Sequence, residues 1–213
     1  MSKTILVMGE SGSGKTTAMR NLDAKKTYYI DCDKKGLSWK GWKQQYNAEN
    51  KNYKATSDAK TIKEILIGID TKTDLEVVVV DTLNGIMIDD EFARMKEKNY
   101  DKWADLAYSV YDLVSVANNL QRDNLTIIFT IHSQTDREES GYLWTRAKTS
   151  GKKLDKVVLE SKFTTVLLAK AVDGKYVFET RANNSTTKTP LGAFDSDTIE
   201  NDIVKVLEIL KEY

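Results

Sequence analysis

Residues 9–16 read Gly9-Glu10-Ser11-Gly12-Ser13-Gly14-Lys15-Thr16 and satisfy every fixed position of G-x-x-x-x-G-K-[ST]. The apolar segment Lys3-Thr4-Ile5-Leu6-Val7-Met8 precedes them, and the helix-like Thr17-Ala18-Met19-Arg20-Asn21-Leu22 follows. Strand, glycine loop and helix in that order commit the chain to opening as an α/β sheet, with the loop at the strand's C-terminal end. Glycines let a backbone curl without Cβ clashes, so that successive N–H groups point at one anion. A helix predicted over 15–23 adds the positive end of its dipole. Gly9, Glu10, Ser11, Gly12, Ser13, Gly14, Lys15, Thr16 and Thr17 are therefore candidates for cradling a nucleotide triphosphate. Lys15 is placed to reach the β- and γ-phosphates, and the Thr16 hydroxyl to ligate Mg²⁺.

With 213 residues the expectation is one domain spanning 1–213. A core of that size buries about 70% of the unfolded chain's surface. Thirty-two Lys and Arg balance 32 Asp and Glu, so any nucleic-acid surface must be a local patch. The single cysteine, Cys32, excludes an intrachain disulfide and fits a reducing compartment. The N-terminus lacks a signal-peptide core, and the apolar run Val77–Val80 is far shorter than the roughly 20 residues a membrane helix needs. The expectation is a cytoplasmic protein with no membrane association.

Thr27–Asp31 reads as a second strand ending in the turn Cys32-Asp33-Lys34-Lys35-Gly36. Asp33, at a strand's C-terminal edge, either faces a γ-phosphate or is a surface aspartate. Residues 34–54 mix lysines with Trp39, Trp42, Tyr46 and Tyr53. Such a stretch can grip single-stranded nucleic acid, but the favoured reading is a solvated loop with its aromatics tucked into the core. Ile62, Ile65, Leu66 and Ile69 mark an amphipathic helix capped by Ser57 or Asp58. Val77-Val78-Val79-Val80-Asp81 is a strand buried on both faces, and its terminal acid matches the Mg²⁺-side aspartate of a phosphate-loop site. Thr82 follows where many ATPases carry the water-activating glutamate, which makes Asp33 the more attractive base.

Residues 84–98 and 101–121 are predicted helices, and Leu125–Ser133 a buried strand bearing the only histidine, His132, near its end. Beside two phosphate-site strands His132 is a candidate γ-phosphate contact; elsewhere it would be a structural residue. The polar segment 133–156 carries Tyr142, Trp144, Arg146, Lys148, Lys152 and Lys153, a candidate DNA-binding patch whose alternative is a hairpin packed over the site. Thr164–Ala171 and Tyr176–Arg181 are strands joined by an Asp173-Gly174 hairpin turn, and 197–212 a final helix. The fold class expected is α/β: a doubly wound, mostly parallel sheet with an added C-terminal antiparallel hairpin strand.

Several segments resemble the RecA family. Ile30-Asp31-Cys32-Asp33-Lys34-Lys35-Gly36-Leu37 looks like its segment bearing the water-orienting glutamate, and Asp33 falls on that glutamate. Val78-Val79-Val80-Asp81-Thr82-Leu83 looks like its second nucleotide motif. Phe129-Thr130-Ile131-His132 occupies the place of the strand end that senses the γ-phosphate and couples to a DNA-binding loop. Lys188-Thr189-Pro190-Leu191-Gly192-Ala193-Phe194 is similar to the segment whose lysine reaches a neighbour's ATP site. Over nearly its full length the chain is similar to small phage-encoded RecA-like ATPases of the Sak single-strand annealing and recombination group. Gly151-Lys152-Lys153-Leu154 and Phe163 contribute to that likeness.

The resemblance implies a RecA-like core and a Mg²⁺-dependent ATPase with ATP as its nucleotide. Lys15, Asp33, Asp81 and His132 would act on the triphosphate, Thr16 and Asp81 would hold the metal, and Lys188 would act in trans. Single-stranded DNA and further copies of the chain are the expected partners, in a phage host's cytoplasm. Asp33 is one methylene shorter than the family's glutamate, which shifts the water it would orient. Two other classes stay open, a small-molecule P-loop kinase and a non-catalytic nucleotide switch. The six arginines are scattered and form no arginine-rich lid of the kind a nucleotide kinase uses.

Overall fold

The computed structural model describes residues 1–97, 101–137, 139, 141–150 and 158–213, with the backbone alone of 101–104 and 107. Nine strands among them form one sheet: β1 (Lys3–Gly9), β2 (Thr27–Asp31), β3 (Tyr53–Ala55), β4 (Val77–Asp81), β5 (Thr126–Arg137), β6 (Leu143–Ala147), β7 (Thr165–Val172), β8 (Lys175–Glu179) and β9 (Thr198–Glu200). Their order is β3-β2-β4-β5-β1-β7-β8-β9, with β6 paired to β5 off that path. β3 through β7 in that order run parallel, whereas β8, β9 and β6 join antiparallel. The expected doubly wound sheet with antiparallel C-terminal strands is the one observed.

The helices are α1 (Trp42–Gln45), α2 (Ala59–Lys72), α3 (Leu83–Ala93), α4 (Asp101–Asn118) and α5 (Ile203–Ile209). One sheet face, with Leu6, Met8, Ile30, Val78, Val80 and Phe129, packs under α2, α3 and α4. The other, with Ile5, Val7, Tyr29, Val79 and Leu167, packs under α5 and the turn after the glycine loop. Burial on both faces explains why the central strands are continuous apolar runs rather than alternating ones. Asp58 caps α2 by accepting the Thr61 N–H at 2.8 Å, and Thr82 caps α3 by accepting that of Gly85 at 3.2 Å.

Three local expectations need correction. The helix predicted over 15–23 is a single 3₁₀ turn, Thr17–Met19, carried on by the Ala18 N–H to Gly14 carbonyl bond of 2.9 Å. Only ten residues separate Thr16 from β2, and a further turn, Lys26 N–H to Asp23 carbonyl at 3.0 Å, occupies part of them. The last helix begins at Ile203 rather than 197, because Thr198–Glu200 pairs with β8 and Asp202 then caps the helix, accepting the Val204 N–H at 3.0 Å. The strand bearing His132 runs on to Arg137 and turns back as β6, so the polar segment after it starts as a hairpin.

The 34–54 loop follows the favoured reading. Tyr46 is buried, and Tyr29, Trp39 and Tyr46 meet edge to face with centroids 5.5–6.2 Å apart. Trp42 lies against Tyr53 at 5.4 Å.

Candidate nucleotide site

Register brings the site together. β1 pairs with β5 so that Gly9 lies opposite His132, and β2 pairs with β4 so that Asp31 lies opposite Asp81. The glycine loop, Asp33, Asp81 and His132 therefore share the C-terminal edge of the sheet, on strand ends adjacent in space though far apart in sequence. The edge of an open parallel sheet is where such folds bind ligands.

The loop needs its glycines. A Cβ on Gly9 would fall 2.4 Å from Ser13 Oγ and 2.7 Å from the Ala169 carbonyl. Gly14 has φ +93°, and a Cβ there would lie 2.8 Å from the Tyr176 ring. Lys15 is buried; its Nζ donates to the carbonyls of Gly9 at 2.8 Å and Glu10 at 2.7 Å. Burial pushes its ammonium down to about 8, while the Asp81 carboxylate pulls the other way. A cation held in this way, with its solvation already lost, is poised to meet an anion.

Asp81 is 3% exposed and accepts three hydroxyls: Thr16 Oγ1 at 2.8 Å and Tyr29 at 2.7 Å on Oδ2, and Thr130 Oγ1 at 2.5 Å on Oδ1. The Thr16–Asp81 contact brings a hydroxyl and a carboxylate together, the hard oxygen donors Mg²⁺ prefers. Ser13 Oγ, buried in the loop, has no hydrogen-bond partner among the described residues. These residues fit a triphosphate with its magnesium.

Asp33 takes the Thr82 hydroxyl on Oδ1 at 3.1 Å and the Lys35 ammonium on Oδ2 at 2.5 Å. It lies against the start of α3 because residue 85 is glycine: a Cβ there would stand 2.7 Å from Asp33 Oδ1. His132 is fixed through its backbone, its N–H donating to Asn84 Oδ1 at 2.6 Å and its carbonyl accepting the Lys148 N–H at 2.7 Å. Its Nδ1 lies 3.5 Å from Lys15 Nζ. Burial, then the Lys15 charge, hold the imidazole below its ordinary pKa, so the ring is neutral at pH 7.

On the β5–β6 hairpin, Tyr142 stacks on Trp144 at 6.0 Å and 28°. Arg146 is ion-paired with Asp136 at 2.6 Å, directly across from Gln134 on the neighbouring strand. Lys148 is exposed just beyond β6, and Lys152 and Lys153 lie outside the described residues. The opposite hairpin face, with Ser133, Thr135 and Thr145, lines a cleft of about 390 Å³ beside Glu10–Ser13 and the end of β7. The Lys188 side chain is exposed; its backbone bridges Val166 at 2.7 and 3.0 Å.

Tyr29, Thr130, Thr82 and Asn84 escaped the sequence reading. The available signal was chemical. A hydroxyl in a strand buried on both faces must find a partner, and the aspartate ending β4 is an acceptor flanked by both β2 and β5.

A parallel sheet that starts with a glycine-rich phosphate loop, and whose loop threonine is bonded to a strand-terminal aspartate, defines a P-loop nucleotide-binding domain. The chain belongs to a family described as AAA domain, whose model matches residues 1–189. No curated protein gave a significant match. Among the described residues no helix is long and apolar enough to cross a membrane.

Proposed function

We propose that the chain is a Mg²⁺-dependent ATPase that acts on single-stranded DNA, in recombination or strand annealing of the kind attributed to small phage-encoded RecA-like proteins. The observation that carries this reading is the convergence of Lys15, the bonded pair Thr16–Asp81, Asp33 and His132 on one sheet edge.

In this reading the loop amides and the Lys15 ammonium bind the phosphates. Thr16 and Asp81 would hold Mg²⁺, which when bound would supply positive charge to the triphosphate. Asp33 orients a water in line with the γ-phosphorus, and neutral His132 reports the γ-phosphate. The protein positions reactants and stabilises charge; it forms no covalent intermediate.

The DNA part of the proposal draws on the resemblance and on the hairpin. β5 carries His132 at the phosphate edge and continues without a break into a hairpin with a stacked aromatic pair. A base can add to such a stack, and Lys148 with Lys152 and Lys153 would neutralise backbone phosphates. Homo-oligomerisation is proposed on the same footing, with exposed Lys188 reaching a neighbour's nucleotide.

A small-molecule kinase is the second reading, favoured by the hydroxyl-lined cleft beside the loop, where an acceptor would fit. Incubation with γ-labelled ATP separates the readings. Free phosphate released faster with single-stranded DNA supports the ATPase. Label on a nucleoside supports the kinase, and tight binding without turnover supports a nucleotide switch.

A further inference from the structure

The turn after β2 is built to hold two opposite charges at the phosphate edge. Asp31, 2% exposed, closes it by accepting the Gly36 N–H on Oδ2 at 2.7 Å, and the Tyr53 hydroxyl binds the same oxygen at 2.8 Å. Gly36 sits at φ +82°, with the Trp42 ring 2.7 Å from where a Cβ would be. Lys34, at φ +56°, is tied to α3 by an ion pair with Asp89 at 2.6 Å, and Ser57 bonds the same carboxylate. The turn is thus anchored at the strand, at the aromatic loop and at α3.

Asp33 and Lys35 are what this frame presents. Their ion pair, at 2.5 Å, occupies Oδ2 of the carboxylate whose Oδ1 is held by Thr82. The Lys35 ammonium also lies within electrostatic reach of Lys15 and His132, lowering the pKa of both. A second cation besides Lys15 therefore stands at the edge where the γ-phosphate would lie, and it is engaged with the carboxylate assigned to orient water. Its side chain is 57% exposed, so the flexible stem can move without repacking the core.

We propose that Lys35 is a γ-phosphate sensor supplied in cis: it holds the Asp33 carboxylate until a γ-phosphate is bound, then moves onto the γ-phosphate oxygens and releases Asp33 to orient the attacking water. This rests on the reading of the site as an ATPase. In the step itself the water oxygen bonds to the γ-phosphorus as the bond from that phosphorus to the β–γ bridging oxygen breaks. The electron pair leaves with ADP, and the water's proton passes by way of Asp33 to phosphate or solvent. Lys35 neutralises charge on the equatorial oxygens meanwhile. ADP offers no γ-oxygens and leaves the Lys35–Asp33 pair closed.

The test compares ADP and ATP affinity, together with single-turnover hydrolysis, in the wild-type chain, Lys35→Ala, Lys35→Arg, Asp33→Asn and the Lys35→Ala/Asp33→Asn double variant. Lys35→Ala should bind ADP as the wild type does, lose tenfold or more of its preference for ATP over ADP, and hydrolyse at least tenfold more slowly. Lys35→Arg should recover much of the preference. Asp33→Asn, by freeing the ammonium, should raise the preference for ATP, and the double variant should lose that gain. Opposite signs at two residues of one ion pair do not arise from a merely structural role.

A preference for ATP unchanged in Lys35→Ala, or ADP and ATP affinities falling equally, overturns the proposal while leaving the ATPase reading intact. A wild-type chain that binds nucleotide without hydrolysing it overturns the ATPase reading, and the affinity ratio still decides the sensor. A wild-type chain that binds neither nucleotide overturns both.

Discussion

The phenol of Tyr29 on β2 donates to Asp81 Oδ2 on the neighbouring strand β4 at 2.7 Å. Tyr29 is fully buried, and that burial together with the Asp81 charge holds the phenol proton firmly in place. The strand core and the Asp81 carboxylate are therefore one structure. Tyr29→Phe removes a hydrogen bond to a charged group and should cost about 1.5–3 kcal/mol of stability. Chemical denaturation measures it; an unchanged midpoint would show that the hydroxyl contributes nothing to holding Asp81.

The Asp58 cap of α2 is the simplest stability test. Its carboxylate accepts from Thr61, and those hydrogen bonds hold its pKa below the ordinary aspartate value. Asp58→Ala should cost about 1 kcal/mol at pH 7. The depressed folded-state pKa means that this stabilisation is complete above the unfolded-state value and disappears as pH falls through the folded one. The gap between wild type and variant should accordingly close in acid, and a gap constant from pH 7 to pH 3 would contradict the assignment.

Lys15 sets a pH limit on nucleotide binding from the other side. Its ammonium is pushed down to about 8 by burial, so above that pH the side chain is increasingly neutral and must take up a proton to meet the phosphates. ATP affinity should fall by about a factor of two between pH 7 and 8 and then more steeply, approaching about tenfold per pH unit beyond. Titrations from pH 7 to 9.5 should show this bend, and a flat profile would mean that the charge on Lys15 does not drive binding.

Much of this architecture was legible in the chain because both sheet faces are covered. Val77–Val80 and Ile127–Ile131 are near-continuous apolar runs for that reason, and the loop pattern fixes where the first strand must end. Asp81 was legible for the same reason, as the acid that ends an apolar strand, whereas Asp33 stands in the turn two residues beyond the end of β2. What escaped depends on partners far off in sequence. Thr198–Glu200 is a strand only because β8 offers an edge, and β5 runs past His132 only because β6 returns beside it. The Lys35–Asp33 pair depends on a turn closed by a buried aspartate, which no spacing rule announces.

The hairpin gives a separate prediction about DNA. Trp144→Ala should weaken single-strand binding by about 1–3 kcal/mol if a base extends the Tyr142–Trp144 stack. Lys148→Ala should flatten the dependence of log affinity on log salt by about 0.7 for a lost phosphate contact. Fluorescence anisotropy with a labelled oligonucleotide at several salt concentrations reads both. Unchanged affinity and slope would remove the hairpin from the proposed DNA contact.

The central claim is that the glycine loop holds a triphosphate through Lys15, and equilibrium ATP binding by the wild type and by Lys15→Ala tests it most directly. Among the described residues Lys15 Nζ bonds to the Gly9 and Glu10 carbonyls and lies 3.5 Å from His132 Nδ1, so its loss should leave the fold standing. The account predicts micromolar-range binding by the wild type, on the order of −8 kcal/mol, and none measurable in Lys15→Ala at an unchanged thermal midpoint. ATP bound equally well by a folded Lys15→Ala chain would contradict it.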